Sequence, residues 1–325
     1  MSYTDKSEGE ERLEAPTVTM VLRSRQATKS VKVSLANVSA ISGAVITAFY
    51  LVIGLLDMVF PGYLGTSGSM SNALTAFHGS LSSPSNIVSL GGSGWYILGG
   101  TLYGLPILPV MLAAVKFDLA FSLFVVVVSS LIGLVVGLYA GFFGGIIDRI
   151  LTEISNFFLQ IPLIGLAIMV SYLLGFSFFD LAIATSIAWW PIFGVIVRNK
   201  ARSVKRATFV ASAMASGDTP TKITFRHIFP SILPDFAASV FIELGIVVQL
   251  IATVDFLNLD PAFRYMPELG NMMSWGVSST LLGTLTWWPL VIPGLFLLGF
   301  TLGVFLLGAG LKRSIRYKTW RNDQR

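Results

Sequence analysis

The feature that most constrains this chain is its succession of apolar runs longer than the roughly 18 residues needed to cross a hydrocarbon core. In lipid the backbone must satisfy its own polar groups, and runs of this length do so as helices. The charge content agrees: 12% of the 325 residues are charged and 54% are hydrophobic, with a mean hydropathy of +0.75. A soluble domain carries about twice that share of charge. The sequence therefore predicts an all-α membrane protein with six transmembrane helices, over residues 38–60, 116–141, 157–174, 181–197, 232–256 and 286–309.

The basic residues sort themselves around these spans. Of the 22 Lys and Arg, 20 fall in a tail over 1–37, in the turn after the second span, in an island over 198–231 and in a tail over 311–325. Lys116 and Arg264 are the two left over. By the positive-inside rule this predicts that both termini and the island are cytoplasmic. It also explains the net charge of +5 without nucleic acid as a partner. Residues 63–115 carry no Lys, Arg, Asp or Glu and read as a long outer loop; its lone His78 has no acidic neighbour and reads as structural. The tail begins with acids and bases mixed and reads as disordered. From Thr17 to Asn37 it is purely basic, which suits either an interfacial helix or a loose arm. Asp57, near the end of the first span, is placed at the outer interface. There is no cysteine, so disulfides and thiol catalysis are excluded.

The island carries the chemistry. Its cations are Arg198, Lys200, Arg202, Lys205, Arg206, Lys222 and Arg226, with Asp218 as its one acid. Residues 207–216 (ATFVASAMAS) suit a short helix, whose small residues at 211, 212, 213 and 215 would let a foreign surface approach. Gly217 can take the positive φ that ends such a helix. Pro230 suits the first turn of the helix that returns to the membrane. Ala211-Ser212-Ala213, Gly217, Ile223, His227, Ile228 and Pro230 stand at the spacing of the coupling loop of ABC importer permeases. In that family the loop reads Glu-Ala-Ala, three residues, Gly, five residues, Ile, three residues, His-Ile-x-Pro. This chain resembles it, with Ala211 in the place of the glutamate.

Further motifs narrow the resemblance to the dipeptide/oligopeptide family and to the second of its two permease subunits. Residues 140–148 (AGFFGGIID), with Pro162 fourteen beyond Asp148, are similar to its turn after the second span. Leu269-Gly270-Asn271-Met272-Met273, Trp288 to Leu295 (WPLVIPGL) and Leu306 to Lys312 (LLGAGLK) resemble its C-terminal signatures. The chain departs from the pattern at Glu153 and Asn156, at Asn258 and Asp260 in place of glycines, at Ala309 in place of aspartate, and throughout its outer loop.

The resemblance implies an ABC type I importer permease architecture in a cell membrane. It implies that a second permease subunit completes a pseudo-twofold heterodimer and that two ATPase subunits grip the coupling loops. An extracellular solute-binding protein would deliver peptides or oligosaccharides. The implied coupling residues are Ala207, Val210, Ala211, Ser212, Ala213, Gly217, Asp218, Arg226, His227 and Pro230. ATP and Mg would sit on the partners: this chain has no Gly-x-x-x-x-Gly-Lys-Ser/Thr loop, and neither a cofactor, a metal site nor a catalytic cluster of its own is expected.

Other expectations come from the residues alone. Ionisable or polar groups inside spans are candidate pathway contacts, here Glu243 and Gln249, with an inter-helix hydrogen bond as the competing role. Asp235 and Asp255 lie near the ends of the same span and are expected at interfacial water. Trp189 and Trp190, adjacent in a helix, point different ways. Gly133, Gly137, Gly141 and Gly145 form a small-xxx-small stripe expected to pack against a helix. The competing class is an ion-coupled carrier without an ATPase, which would show an internal repeat and more intramembrane charge.

Overall fold

The computed structural model describes residues 37–56, 59, 97–101, 106–175, 177–259, 267–281 and 287–322. Among them the chain is almost wholly helical: α1 (Asn37–Leu56), α2 (Ile107–Phe143), α3 (Gly145–Gln160), α4 (Leu163–Leu174), α5 (Phe178–Lys205) and α6 (Thr208–Ala215). There follow α7 (Pro220–Phe256), α8 (Leu269–Leu281) and α9 (Trp288–Asn322). The expectations for the N-terminal tail, Asp57, His78, Asp260 and Arg264 lie outside the described residues.

Five helices are long and apolar enough to cross a membrane: α1, α2, α5, α7 and the Trp288–Ser314 part of α9. Taken together α3 and α4 pass the same test of length and composition, but they are bent by 91° at the break between them, so the described residues hold five or six candidate crossings. This corrects the expected straight span over 157–174. Pro162 supplies no N–H and its ring excludes the carbonyl four residues back. It also forces the preceding residue out of helix, and Ile161 is extended at φ −81°, ψ 134°.

Two boundaries also move. α2 starts at Ile107, nine residues before the expected Lys116, because Pro106 and Pro109 sit where a helix has no use for their missing N–H groups. α9 runs past Ala309, so the basic segment from 311 is helical to Asn322. Three prolines inside spans, Pro191 in α5, Pro234 in α7 and Pro293 in α9, are carried without a break.

Close packing of α2 on α5 builds the centre of the bundle. A Cβ added at Gly133 would lie 2.5 Å from the Phe193 Cβ, at Gly137 2.6 Å from the Gly194 carbonyl oxygen, and at Gly141 2.7 Å from the Ala201 Cβ. Three members of the predicted stripe thus form the expected packing face. The fourth does not: Gly145, at φ 59°, pairs with Gly144, at φ 68°, to turn the chain into α3, with nothing within 4 Å of either. On the far side α1 lies against α9, where Gly43 meets the Leu307 backbone and Gly310 meets Ala40.

The main core lies between α2, α5, α7, α8 and α9, with Phe121, Phe193, Ile251, Leu269 and Met272 fully buried. At one end Trp288 donates from Nε1 to the Gly100 carbonyl at 3.3 Å, and the Ile107 N–H donates to Gly99 at 3.0 Å. These bonds hold residues 97–101 against the helix ends. At the start of α8, Gly270 meets the Ala252 backbone so closely that no side chain fits. Asn258 sits just after α7 at φ 53°. Asn is the residue besides glycine that tolerates this conformation best, which explains how it stands where the family pattern has glycine. Its Nδ2 donates to Ser274 Oγ at 2.6 Å.

Candidate functional site: a helical knob between two long spans

The basic island is built on the continuing ends of α5 and α7. α5 carries on past Val197 to Lys205, where Arg206 and Ala207 turn the chain into α6. The Ala207 carbonyl accepts from the Val210 and Ala211 N–H groups at 3.1 and 3.2 Å. At the other end of α6, Gly217 takes φ 81°. Its N–H donates to Met214, and the Asp218 N–H donates to Ala213, at 3.1 and 3.2 Å. This is a Schellman closure, and it accounts for a glycine at 217.

α6 faces two ways. Val210 and Ala213 are buried in a second, smaller core with Leu138, Phe142, Val197, Ala201, Ile223, Ile228 and Ile232. Ala211, Ser212, Ala215 and the larger Phe209 and Met214 are exposed. Ala213 therefore faces the chain's own body. It does not offer the open approach that its small size suggested, whereas 211, 212 and 215 are outward.

The return to the bundle also differs from the expectation. Pro230 lies at the second position of an α-helical stretch, but the helix does not begin there. It begins at Pro220, capped by Thr219, and passes through a π-helical turn over Thr224–Ile228. In that turn the Phe229 N–H donates to Thr224, five residues back. The extra residue in the turn re-aims the carbonyls ahead of Pro230, which would otherwise meet its ring.

Ion pairs fix the knob. Asp148, at the start of α3, accepts from Arg198 Nε at 2.5 Å and from Arg202. Lys205 donates to the Phe142 carbonyl and lies 5.0 Å over the Phe142 ring. Lys200 pairs with Asp235 at 2.5 Å. Asp218 accepts from Lys222 and lies 3.6 Å from His227 Nε2. The Lys222 hydrogen bond holds the Asp218 carboxyl below the ordinary carboxylate range. The clamp on Asp148 is the feature that sequence reasoning missed. Its signal was present: Arg198 and Arg202 share a helix face four residues apart, and Asp148 is the acid of the turn those helices flank.

The two candidate pathway residues separate. Glu243 is buried and accepts from Trp189 Nε1 at 3.2 Å, tying α7 to α5. Gln249 is exposed on α7, beside exposed Ile246 and Thr253. Trp190 turns elsewhere, with its ring 5.8 Å from that of Phe158 on α3. Of the two acids expected at interfacial water, Asp255 is instead fully buried, while Asp235 is partly exposed and ion-paired to Lys200. Among the described residues no three His, Asp or Glu side chains gather to hold a metal ion.

Comparison with known proteins assigns the arrangement to a family. The family described as "Binding-protein-dependent transport system inner membrane component" matches residues 133–317, from the glycine face of α2 through the knob to α9. The chain is similar to the dipeptide transport system permease protein of Alkalihalophilus pseudofirmus, 32% identical over 169 residues, covering 52% of this chain and 54% of that protein. It is similar to the probable D,D-dipeptide transport system permease protein of Escherichia coli, 27% identical over 268 residues, 82% and 85% of the two chains. It is similar to the glutathione transport system permease protein of Salmonella typhimurium, 30% identical over 169 residues, 52% and 54%. The first and third of these are thus aligned over about half their length. With the family match spanning more than half of its residues, this chain belongs to the inner membrane components of binding-protein-dependent transport systems.

Proposed function

We propose that the chain is the membrane-spanning subunit of an ATP-driven importer of short peptides. One observation carries the reading: a short helix, seated by two buried side chains and closed by Gly217, projects between the ends of two spans, with its outer face uncovered. That is the shape a separate motor can hold. The relatives are named for transport of dipeptides and glutathione, which favours peptides over sugars as cargo.

In this reading the basic end of the bundle and both termini are cytoplasmic, and an ATPase subunit docks on α6 and the turns beside it. A second permease subunit pairs with the exposed helix faces, and a solute-binding protein delivers cargo to the opposite end. ATP favours one packing of the spans over another, and its differential affinity for the two states drives alternating access. The clamp of Asp148 on Arg198 and Arg202 would make α2, α3 and α5 move with the knob as one body. Gln249, on the uncovered face of α7, is the pathway contact. Glu243 is an inter-helix tie.

The test is reconstitution. The full chain with its permease and ATPase partners in proteoliposomes is expected to accumulate a labelled dipeptide only with ATP and the binding protein. Uptake by an ion gradient with no ATPase present would overturn the proposal.

A further inference from the structure

We infer that the surface receiving the knob is an apolar cleft with an acidic rim, and that Arg206 and Arg226 are the cations it reads. The inference rests on the docking reading above and specifies the chemistry of the partner's face.

The argument is an accounting of charge. Seven cations lie in the island. Arg198 and Arg202 are taken by Asp148, Lys200 by Asp235 and Lys222 by Asp218, while Lys205 is held on the Phe142 carbonyl and ring. Asp218, the island's one acid, is thereby neutralised from within. Arg206, in the turn before α6, and Arg226, in the π-helical turn, are exposed, and their guanidinium groups have no ion-pair or hydrogen-bond partner among the described residues. Where the family pattern carries glutamate on this helix, Ala211 stands exposed and uncharged. The free face is therefore cationic, with no acid of its own left to balance it.

The outward centre of α6 is small, with Ala211, Ser212 and Ala215, and large apolar side chains are bare around it. Phe209, Met214 and Phe225 are 47%, 42% and 54% exposed. Large side chains left bare on a knob outside the spans mark a surface that another protein covers. Arginine suits the rim of such a contact, because its fork of donors matches a carboxylate and loses little water on pairing. Complementary charge sets partner choice and approach rate. An acid-poor or basic cleft would meet two unpaired cations as the interface closed.

The experiment compares full-chain variants purified with the cognate ATPase. Arg206→Glu with Arg226→Glu is expected to weaken the association by about tenfold or more at ~0.1 M salt and to reverse its salt response, added salt now strengthening binding. Phe209→Ala weakens it without changing the salt response. Arg149→Glu, a reversal of an exposed cation on α3 outside the basic island, leaves both unchanged, and Arg226→Lys retains most of the binding. Equal ATPase affinity and salt response in the double reversal and the parent overturns this inference while leaving the proposed function standing. A parent that holds no ATPase overturns both. If the double reversal instead loses affinity for phosphatidylglycerol vesicles with ATPase binding intact, the arginines read lipid headgroups and the inference fails.

Discussion

Gly137→Ala tests whether the glycine face of α2 sets the core spacing. The new Cβ would lie 2.6 Å from the Gly194 carbonyl oxygen, 2.7 Å from the Val197 Cβ and 3.0 Å from the Arg198 nitrogen. Two of these three neighbours are backbone, so no rotamer change relieves the clash. Reaching ordinary contact near 3.4 Å requires α2 and α5 to part by about 0.8 Å. Overpacking of this kind costs about 1–3 kcal/mol, and the absence of a flexible neighbour puts it near the top of that range. Alanine regains about 1 kcal/mol over glycine inside a helix. The net expectation is a loss of about 2 kcal/mol. The measurement is SDS-induced unfolding in mixed micelles followed by Trp fluorescence, with Gly165→Ala beside it. An added Cβ at Gly165 meets only Pro162, at 3.9 Å, so that variant should match the parent or gain up to about 1 kcal/mol. A Gly137→Ala protein as stable as Gly165→Ala would refute the claim that this crossing is set by backbone contact.

Three further outcomes follow from the site. Asp148→Asn leaves Arg198 and Arg202 without their shared counter-charge, and a loss of about 1–3 kcal/mol in the same unfolding assay is expected, the partial exposure of Arg202 limiting it. Trp189→Phe removes the donor to Glu243 and should cost about 1–3 kcal/mol, with Glu243→Gln in the Trp189→Phe background recovering part of the loss. The Asp218 carboxyl has a folded pKa below its unfolded value, so its stabilising effect is complete above about pH 4 and disappears as pH falls through the lower, folded value. Hydrogen exchange over 213–222, divided by the intrinsic rate at each pH, should therefore be flat at neutral pH and rise on acidification below about pH 4. Asp218→Asn should exchange faster throughout, with that rise absent.

Several features were legible because local chemistry compels them. Gly217 ends α6 at positive φ because a Schellman closure needs it, whereas the turn at Gly144-Gly145 is expected only from the resemblance, with Gly145 assigned to the packing stripe. Others were hidden by the same apolar character that revealed the spans. A helix that is apolar all round carries no polar face to mark which side is buried. The division of Glu243 and Gln249 between a buried tie and an open face of α7 was accordingly not readable, nor was the inward aim of Ala213. The bend at Pro162 was visible as a residue but not as a geometry. A proline leaves the helix unbroken at Pro191 and Pro293, and at Pro162 separates two helices set at 91°.

The sequence by itself determined the long apolar helices, the position of the basic island and the glycine spacing of α2, because burial in lipid and steric access act on residue type and period alone. Only the tertiary structure decided which cations are neutralised. Asp148 reaches Arg198 and Arg202 across some fifty residues, and Asp235 reaches Lys200 across 35. Pairing at that separation depends on how helices cross, and the crossing is set by backbone contacts at Gly133, Gly137 and Gly141 that no single residue encodes. Charge left over after those pairings is what gives the knob its cationic face.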